Sequence, residues 1–173
     1  MVTKNKLAII LTLIAATIFG LNSWTRLNEA RSNKIIDVPI ARARYSNGEV
    51  LESMDFISCS ALILDYKDKA IMAHAPDEEY ANYMFEWGVP PEGNDVYIGN
   101  VVKYLSNEMR EKGINPKECK AFINAGSERG LEKITNDLKE AGIGVESSKL
   151  DQNPRNMRYD PKTNNLTVNY RSD

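Results

Sequence analysis

The chain contains one histidine, His74, and two cysteines, Cys59 and Cys119, and these are the side chains best suited to covalent catalysis. A thiol becomes a useful nucleophile when a neighbouring base or cation helps to form the thiolate. Cys59 lies 15 residues before His74. If the two residues occupy adjacent antiparallel strands, their side chains can meet near one end of the hairpin. Because His74 is the only imidazole, any Cys–His mechanism in this chain depends on it.

Other interpretations of the same residues stay open. Cysteine is among the most often buried residue types, and a histidine between apolar neighbours is usually a core side chain. In an oxidising compartment, Cys59 and Cys119 could form a disulfide, which would abolish a thiol mechanism. A papain-like peptidase is a poorer alternative, because its histidine normally lies far downstream of the cysteine and the chain has no second histidine.

Composition and motifs argue against several other kinds of site. A structural zinc site needs about four ligands, and neither a CxxC nor an HExxH motif is present. The acidic run at 77–79 is typical of a solvated loop, and Gly126 and Gly130 lack a phosphate-binding motif. We therefore predict no metal and no cofactor. With 22 basic and 24 acidic residues, the chain has no basic excess for binding nucleic acid.

Residues 1–24 have the layout of an export signal. Lys4 and Lys6 precede the apolar run LAIILTLIAATIFGL, and no further charged residue occurs before Arg26. A basic start and a short apolar run are typical of a signal peptide, and counting on through Trp24 brings the run into the range of a membrane span. We predict a cleaved signal peptide or an uncleaved membrane anchor, a polar tether over 25–34 and one folded domain over 35–173. That domain would be membrane-anchored or exported (periplasmic or secreted) rather than cytoplasmic.

Two hairpins are predicted in the first half of the domain. The alternation over 38–44, the Asn47-Gly48 turn and the segment 49–52 are typical of two strands joined by a tight turn. The run 56–65 is nearly continuously apolar, as in a buried strand. A second apolar run over 70–75 would pair with it and would place Cys59 and His74 on neighbouring strands.

The second half changes to a helical period. Apolar residues recur at helical spacing over 98–109 and 131–141, and Gly113 and Gly142 end these runs. Strands are predicted at 119–125, around Val145, at 157–159 and at 166–170. We therefore predict one α/β (α+β) domain in which two main helices pack on a mixed sheet.

Several segments resemble the chemoreceptor glutamine deamidase family, CheD. SCSALILDYKDKAIMAH is similar to the family core, in which a Ser-Cys pair enters a strand and a second strand ends in Ala-His. The likeness continues in the same order through YIGNVVKYLSNEMREKGINPKECKAFINAG, LEKITNDLKEAGIGVESSKLD and NMRYDPKTNNLTV. It spans roughly Ser53 to Tyr170, so the chain is interpreted as a divergent member with an N-terminal leader.

The resemblance implies a three-layer sandwich related to toxin deamidases. It also implies hydrolysis of a glutamine side chain to glutamate on a protein substrate. The family nucleophile falls on Cys59 and its histidine on His74. The third member of its triad, a threonine six positions before the cysteine, falls on Ser53, whose hydroxyl could orient the imidazole.

The chain also departs from the family pattern. Ile57 stands in place of the glycine before the Ser-Cys pair, Asn124-Ala125-Gly126 replaces a glycine-rich segment, and 152–154 replace a Gly-Gly pair ahead of Arg155. Together with the leader, these departures favour an anchored or secreted deamidase acting on another protein over a chemotaxis enzyme. The alternative is a non-catalytic exported binding module on the same fold, with Cys59 structural or bonded to Cys119.

Overall fold

The computed structural model describes residues 34–77 and 95–171. The chain divides into two compact units, Met1–Lys34 and Ile35–Asp173. The predicted leader over 1–24 and the tether, except for Lys34, lie outside the described residues. None of the helices in the described ranges combines the length and the apolar character that a bilayer span requires.

The described residues form nine strands in two sheets. The four-stranded sheet has the order β1-β3-β8-β9, and the five-stranded sheet has the order β2-β5-β4-β6-β7. Both sheets are mixed, because β1 pairs with β3 and β6 pairs with β7 in parallel, whereas the other pairs are antiparallel. The strands are β1 (Ile35–Asp37), β2 (Arg42–Asn47), β3 (Val50–Phe56), β4 (Ser60–Tyr66), β5 (Lys69–Ala75), β6 (Lys120–Ala125), β7 (Gly144–Leu150), β8 (Arg155–Asp160) and β9 (Asn165–Tyr170).

In the part of the chain that the structure describes, two α-helices follow the apolar periodicity of the sequence. They are α1 (Val101–Glu111) and α2 (Glu128–Ala141), and a short 3-10 helix (Pro116–Glu118) precedes β6. The Ser127 hydroxyl caps α2 by accepting a hydrogen bond from the Gly130 N–H at 3.0 Å. Gly142 ends α2 in the left-handed conformation, with φ of 72°. The two predicted helices and their glycine stops are therefore confirmed.

Two apolar cores separate three layers. One core lies between the five-stranded sheet and the helices and includes Leu62, Leu105 and Leu138. The other includes Leu51 of the four-stranded sheet and Met72 of the five-stranded sheet, so it lies between the two sheets. The predicted α+β class, with three layers, mixed sheets and two main helices, is confirmed, although the β-structure forms two sheets where one was expected.

The second predicted hairpin is confirmed and the first is wrong. Strands β4 and β5 pair antiparallel across a turn at Lys67 and Asp68. Strands β2 and β3 also flank their predicted turn, but β2 joins the five-stranded sheet and β3 the four-stranded sheet. The Asn47-Gly48 turn, with Gly48 at φ of 93°, therefore carries the chain from one sheet to the other. The predicted strand over 56–65 is likewise divided, because Phe56 ends β3 and β4 begins at Ser60.

Candidate active site

His74 is held in the space between the two sheets. It lies on β5, pairs with Ala61 of β4 on one side and with Arg42 of β2 on the other, and its side chain is fully buried. Its Nδ1 lies 2.9 Å from the Oγ of Ser53, which belongs to β3 of the other sheet. The structure therefore brings together two of the three residues that the CheD resemblance implies.

The Ser53 hydroxyl determines which nitrogen of His74 carries the proton. Ser53 Oγ lies 2.5 Å from the Val38 carbonyl oxygen, to which it donates its only proton. Ser53 must then accept a hydrogen bond from His74, so the proton is on Nδ1 and the lone pair is on Nε2. Within the described residues, the buried Nε2 atom has no hydrogen-bond partner. This is the protonation state that a general base needs.

Phe56 packs on the imidazole of His74, and the segment before β2 holds the main chain of the same residue. The Phe56 ring stacks on the His74 ring, with centroids 3.7 Å apart and an interplanar angle of 13°. The main-chain carbonyl of His74 accepts a hydrogen bond from Ala41 N–H at 2.8 Å, and Ile40 forms an isolated bridge with His74. These contacts leave the ring little freedom to turn, because it is packed on its face and bonded at Nδ1.

Cys59 immediately precedes β4 and belongs to the core between the two sheets. It lies two residues before Ala61, the cross-strand partner of His74, so Cys59 and His74 share one face of the hairpin. Residues in this diagonal relationship lie roughly 7–8 Å apart. The side chain of Cys59 is 6% exposed, and no hydrogen bond joins it to His74 Nε2. The structure thus places the predicted nucleophile and the predicted base on one face of the hairpin, without a hydrogen bond between them.

Burial keeps both groups neutral at pH 7. It raises the pKa of the Cys59 thiol to about 11, an effect that the Arg155 guanidinium opposes and the Asp77 carboxylate reinforces. It lowers the pKa of the His74 imidazole to about 4, and the positive charge of Arg155 acts in the same direction. Cys59 is therefore a protonated thiol here and not the thiolate that a Cys–His pairing can produce.

Gly126, just after β6, allows the segment before Cys59 to approach closely. A Cβ at Gly126 would come within 2.3 Å of the Ser58 carbonyl oxygen and 2.7 Å of the Cys59 carbonyl oxygen. The Gly126 N–H also lies 3.4 Å from Ser60 Oγ. Only a residue without a side chain fits at this position, so Gly126 fixes the path of the main chain at Ser58 and Cys59.

Sequence reasoning missed Phe56, Val38 and Arg155 as parts of this site. Arg155 begins β8, is fully buried and donates from its Nη2 to the Cys59 carbonyl oxygen at 3.2 Å. The sequence signal for Arg155 is its position directly after 152–154, which replace the Gly-Gly pair of the CheD family. The contacts of Phe56 and Val38 depend on how the two sheets face each other, which no local pattern reveals.

The proposed disulfide between Cys59 and Cys119 is wrong. Both cysteines are free thiols. Cys119 immediately precedes Lys120, the partner of Asp65 at the far end of β4, and it belongs to the core on the helix side of the sheet. Five residues of strand separate that position from Ser60, which corresponds to roughly 17 Å. A disulfide requires Cα atoms within about 7 Å.

The acidic run after His74 is described only in part. Asp77 lies close enough to Cys59 to influence its pKa, whereas residues 78 and 79 lie outside the described ranges. Among the described residues, no group of three or more His, Cys, Asp and Glu side chains is arranged to hold a metal ion.

Comparisons with known proteins give a weak structural likeness. No protein-family model matches the chain, and no curated protein matches it in sequence. Among solved structures, the chain is similar to the C-terminal domain of CNFy from Yersinia pseudotuberculosis, with a TM-score of 0.34 and 15% sequence identity. The match covers 78% of this chain and 54% of that chain, so this chain spans about half the length of its structural neighbour. Such a likeness does not identify the reaction, which depends on the residues of the site.

Proposed function

We propose that the chain is a cysteine-dependent hydrolase that deamidates glutamine side chains of a protein substrate. The observation that carries the proposal is the buried Ser53–His74 hydrogen bond at 2.9 Å, which leaves Nε2 unprotonated on the face that Cys59 shares. A serine that donates to Val38 and accepts from an imidazole has the position of a residue that orients a base. The choice of glutamine as the substrate side chain rests on the resemblance to the CheD family motifs.

The first half of the reaction begins with two neutral groups. Cys59 Sγ attacks the carboxamide carbon of the substrate glutamine as its proton passes to His74 Nε2. The protonated imidazole then gives this proton to the amide nitrogen, the C–N bond breaks, and ammonia leaves a thioester on Cys59. Since Nδ1 stays bonded to Ser53, the ring keeps its orientation through both proton transfers.

The second half regenerates the thiol. His74 Nε2 takes a proton from a water molecule, whose oxygen attacks the thioester carbon. The C–S bond breaks, the proton returns to the sulfur, and glutamate is released. The overall change is glutamine and water to glutamate and ammonia. The main-chain N–H of Cys59 is the proposed donor to the oxyanion in both steps.

A protein substrate suits the surface around the site. Met54 and Ile57 belong to the segment between Ser53 and Cys59 and are 51% and 62% exposed. Large apolar side chains held at the surface are typical of contacts with other proteins. The proposed substrate therefore presents its glutamine beside apolar residues. The proposed location, anchored to a membrane or exported, depends on residues 1–24.

Mass spectrometry of a peptide library tests the reaction. Peptides that carry glutamine between varied neighbours are incubated with the wild-type chain, with Cys59→Ala and with Cys119→Ala, which is the matched control because Cys119 is also a buried free thiol. We expect conversion of glutamine to glutamate by the wild type and Cys119→Ala, and none by Cys59→Ala. The proposal fails if no peptide is converted, or if Cys59→Ala converts as many as the wild type.

A second candidate function has its own supporting observation. Cys59 is buried, burial raises its thiol pKa to about 11, and the Cys59–His74 contact is not made. These features also fit a binding module in which Cys59 is a core side chain. Binding of a protein partner that persists unchanged in Cys59→Ala, together with absence of deamidation, would favour this function.

A further inference from the structure

Arg155 connects the segment of the nucleophile to two other parts of the fold. Its Nε donates to Asn124 Oδ1 at 2.6 Å, its Nη1 to the Asn153 carbonyl oxygen at 3.0 Å, and its Nη2 to the Cys59 carbonyl oxygen at 3.2 Å. Three nitrogens of one planar group are thus fixed by β6, by the segment before β8 and by the residue that carries the thiol.

The cation has neutral partners although it is fully buried. Within the described residues, no carboxylate oxygen lies within 4.0 Å of its nitrogens. Asp151, a nearby carboxylate, accepts hydrogen bonds from Tyr170 at 2.5 Å and Lys149 at 2.9 Å. Burying an arginine without a close counter-ion is costly, and a neutral side chain could fill the same space with less penalty. The charge itself therefore requires an explanation.

The Arg155 guanidinium also lies over the Phe56 ring, which in turn stacks on His74. Its Cζ lies 5.6 Å from the centroid of Phe56, whose ring stacks on His74 at 3.7 Å. A cation within about 6 Å of an aromatic ring is attracted to the negative face of that ring. Arg155, Phe56 and His74 thus form one column, and Arg155 also donates a hydrogen bond to the main chain of Cys59.

We propose that Arg155 is a positioning residue for the cysteine hydrolase: it fixes the main chain of Cys59, and its positive charge, which forms no close ion pair within the described residues, favours loss of the thiol proton. This inference rests on the proposed function. The charge opposes the effect of burial on the Cys59 thiol pKa, and it also lowers the pKa of His74, which keeps Nε2 available as a base. Arginine provides both effects, because one donor reaches the carbonyl while the others anchor the group.

The test compares Arg155→Met, Arg155→Lys and Arg158→Met in a Cys119→Ser background, where Cys59 is the only thiol. Arg158 lies on the same strand and is exposed, so it is the matched control. The pKa of Cys59 is measured by NMR on protein labelled with ¹³C at cysteine Cβ. We expect a rise of about one pH unit in Arg155→Met, little change in Arg155→Lys, and none in Arg158→Met.

A second readout separates position from charge. A lysine keeps the charge but carries its donors on one nitrogen, so it cannot reach the three acceptors that Arg155 binds. We therefore expect Arg155→Lys to lower kcat for deamidation roughly tenfold while the Cys59 pKa stays near the wild-type value. If Arg155→Met does not fold, Arg155→Lys still tests the positioning role. An unchanged kcat in the folded lysine variant would overturn that role. An unchanged Cys59 pKa in folded Arg155→Met would overturn the electrostatic role. The Cys59 pKa is measured without substrate. If the chain deamidates no peptide, the proposed function fails, but the effect of Arg155 on the Cys59 pKa can still be determined.

Discussion

At the level of single residues, Ser53 links the orientation of His74 to the main chain of Val38, which directly follows β1. Its hydroxyl spans the gap between the Val38 carbonyl oxygen and His74 Nδ1. Removing the hydroxyl would leave two buried polar groups without partners, and each such group costs about 1–3 kcal/mol. A threonine keeps the same oxygen and adds one methyl group.

We therefore expect Ser53→Ala to lower kcat for deamidation about tenfold, with a smaller effect on KM, because the imidazole loses its orientation but the substrate surface is unchanged. Ser53→Thr should recover most of the activity. Steady-state kinetics on a converted peptide gives both values. If kcat falls equally in Ser53→Ala and Ser53→Thr, the activity depends on packing at this position and not on the hydroxyl.

At the level of elements, the sequence predicts what local spacing determines. The β4–β5 hairpin could be predicted, because two apolar runs flank a turn of suitable length, and this alone places Cys59 and His74 on one face. The separation of β2 and β3 into different sheets could not, since an Asn-Gly turn has the same local signal in both cases. Arg155 lies 96 residues from Cys59 along the chain, so no nearby pattern connects them.

Gly126 allows a test of how strictly the main chain at Ser58 and Cys59 must be positioned for the proposed reaction. The Cβ of Gly126→Ala would collide with main-chain oxygens of Ser58 and Cys59, which cannot move without moving the thiol. We expect a loss of about 2 kcal/mol in the free energy of unfolding, measured in urea, and a fall in kcat that exceeds the effect of Ser53→Ala.

Gly144→Ala is the control for this substitution. A Cβ at Gly144 meets nothing within 4 Å, and Gly144 lies on exposed strand β7. We expect its stability to change by less than about 0.5 kcal/mol and its activity to stay at the wild-type level. Similar effects of the two alanines would show that the close approach at Gly126 is not what positions Cys59.

At the level of the whole molecule, two buried titratable groups near opposite ends of the β4–β5 hairpin have opposite effects on stability. Burial lowers the pKa of His74 from 6.5 to about 4, so stability is lost as the pH falls through this window and the unfolded chain takes up a proton. Burial raises the pKa of Asp65 from 3.8 to about 6, so stability is lost as the pH rises through nearly the same window. Each effect amounts to about 3 kcal/mol.

The two effects should nearly cancel in the wild type, whose free energy of unfolding we expect to change little between pH 4 and pH 6.5 on their account. Asp65→Asn removes one of them, so its stability should rise by about 3 kcal/mol across this range. His74→Asn should show the reverse slope, and the double variant should again be nearly flat. Urea unfolding at several pH values measures these slopes independently of any overall destabilisation by the substitutions. If the free energy of unfolding of Asp65→Asn did not change with pH, His74 would gain its proton as readily in the folded protein as in the unfolded chain. That result would contradict the neutral, buried base on which the proposed mechanism depends.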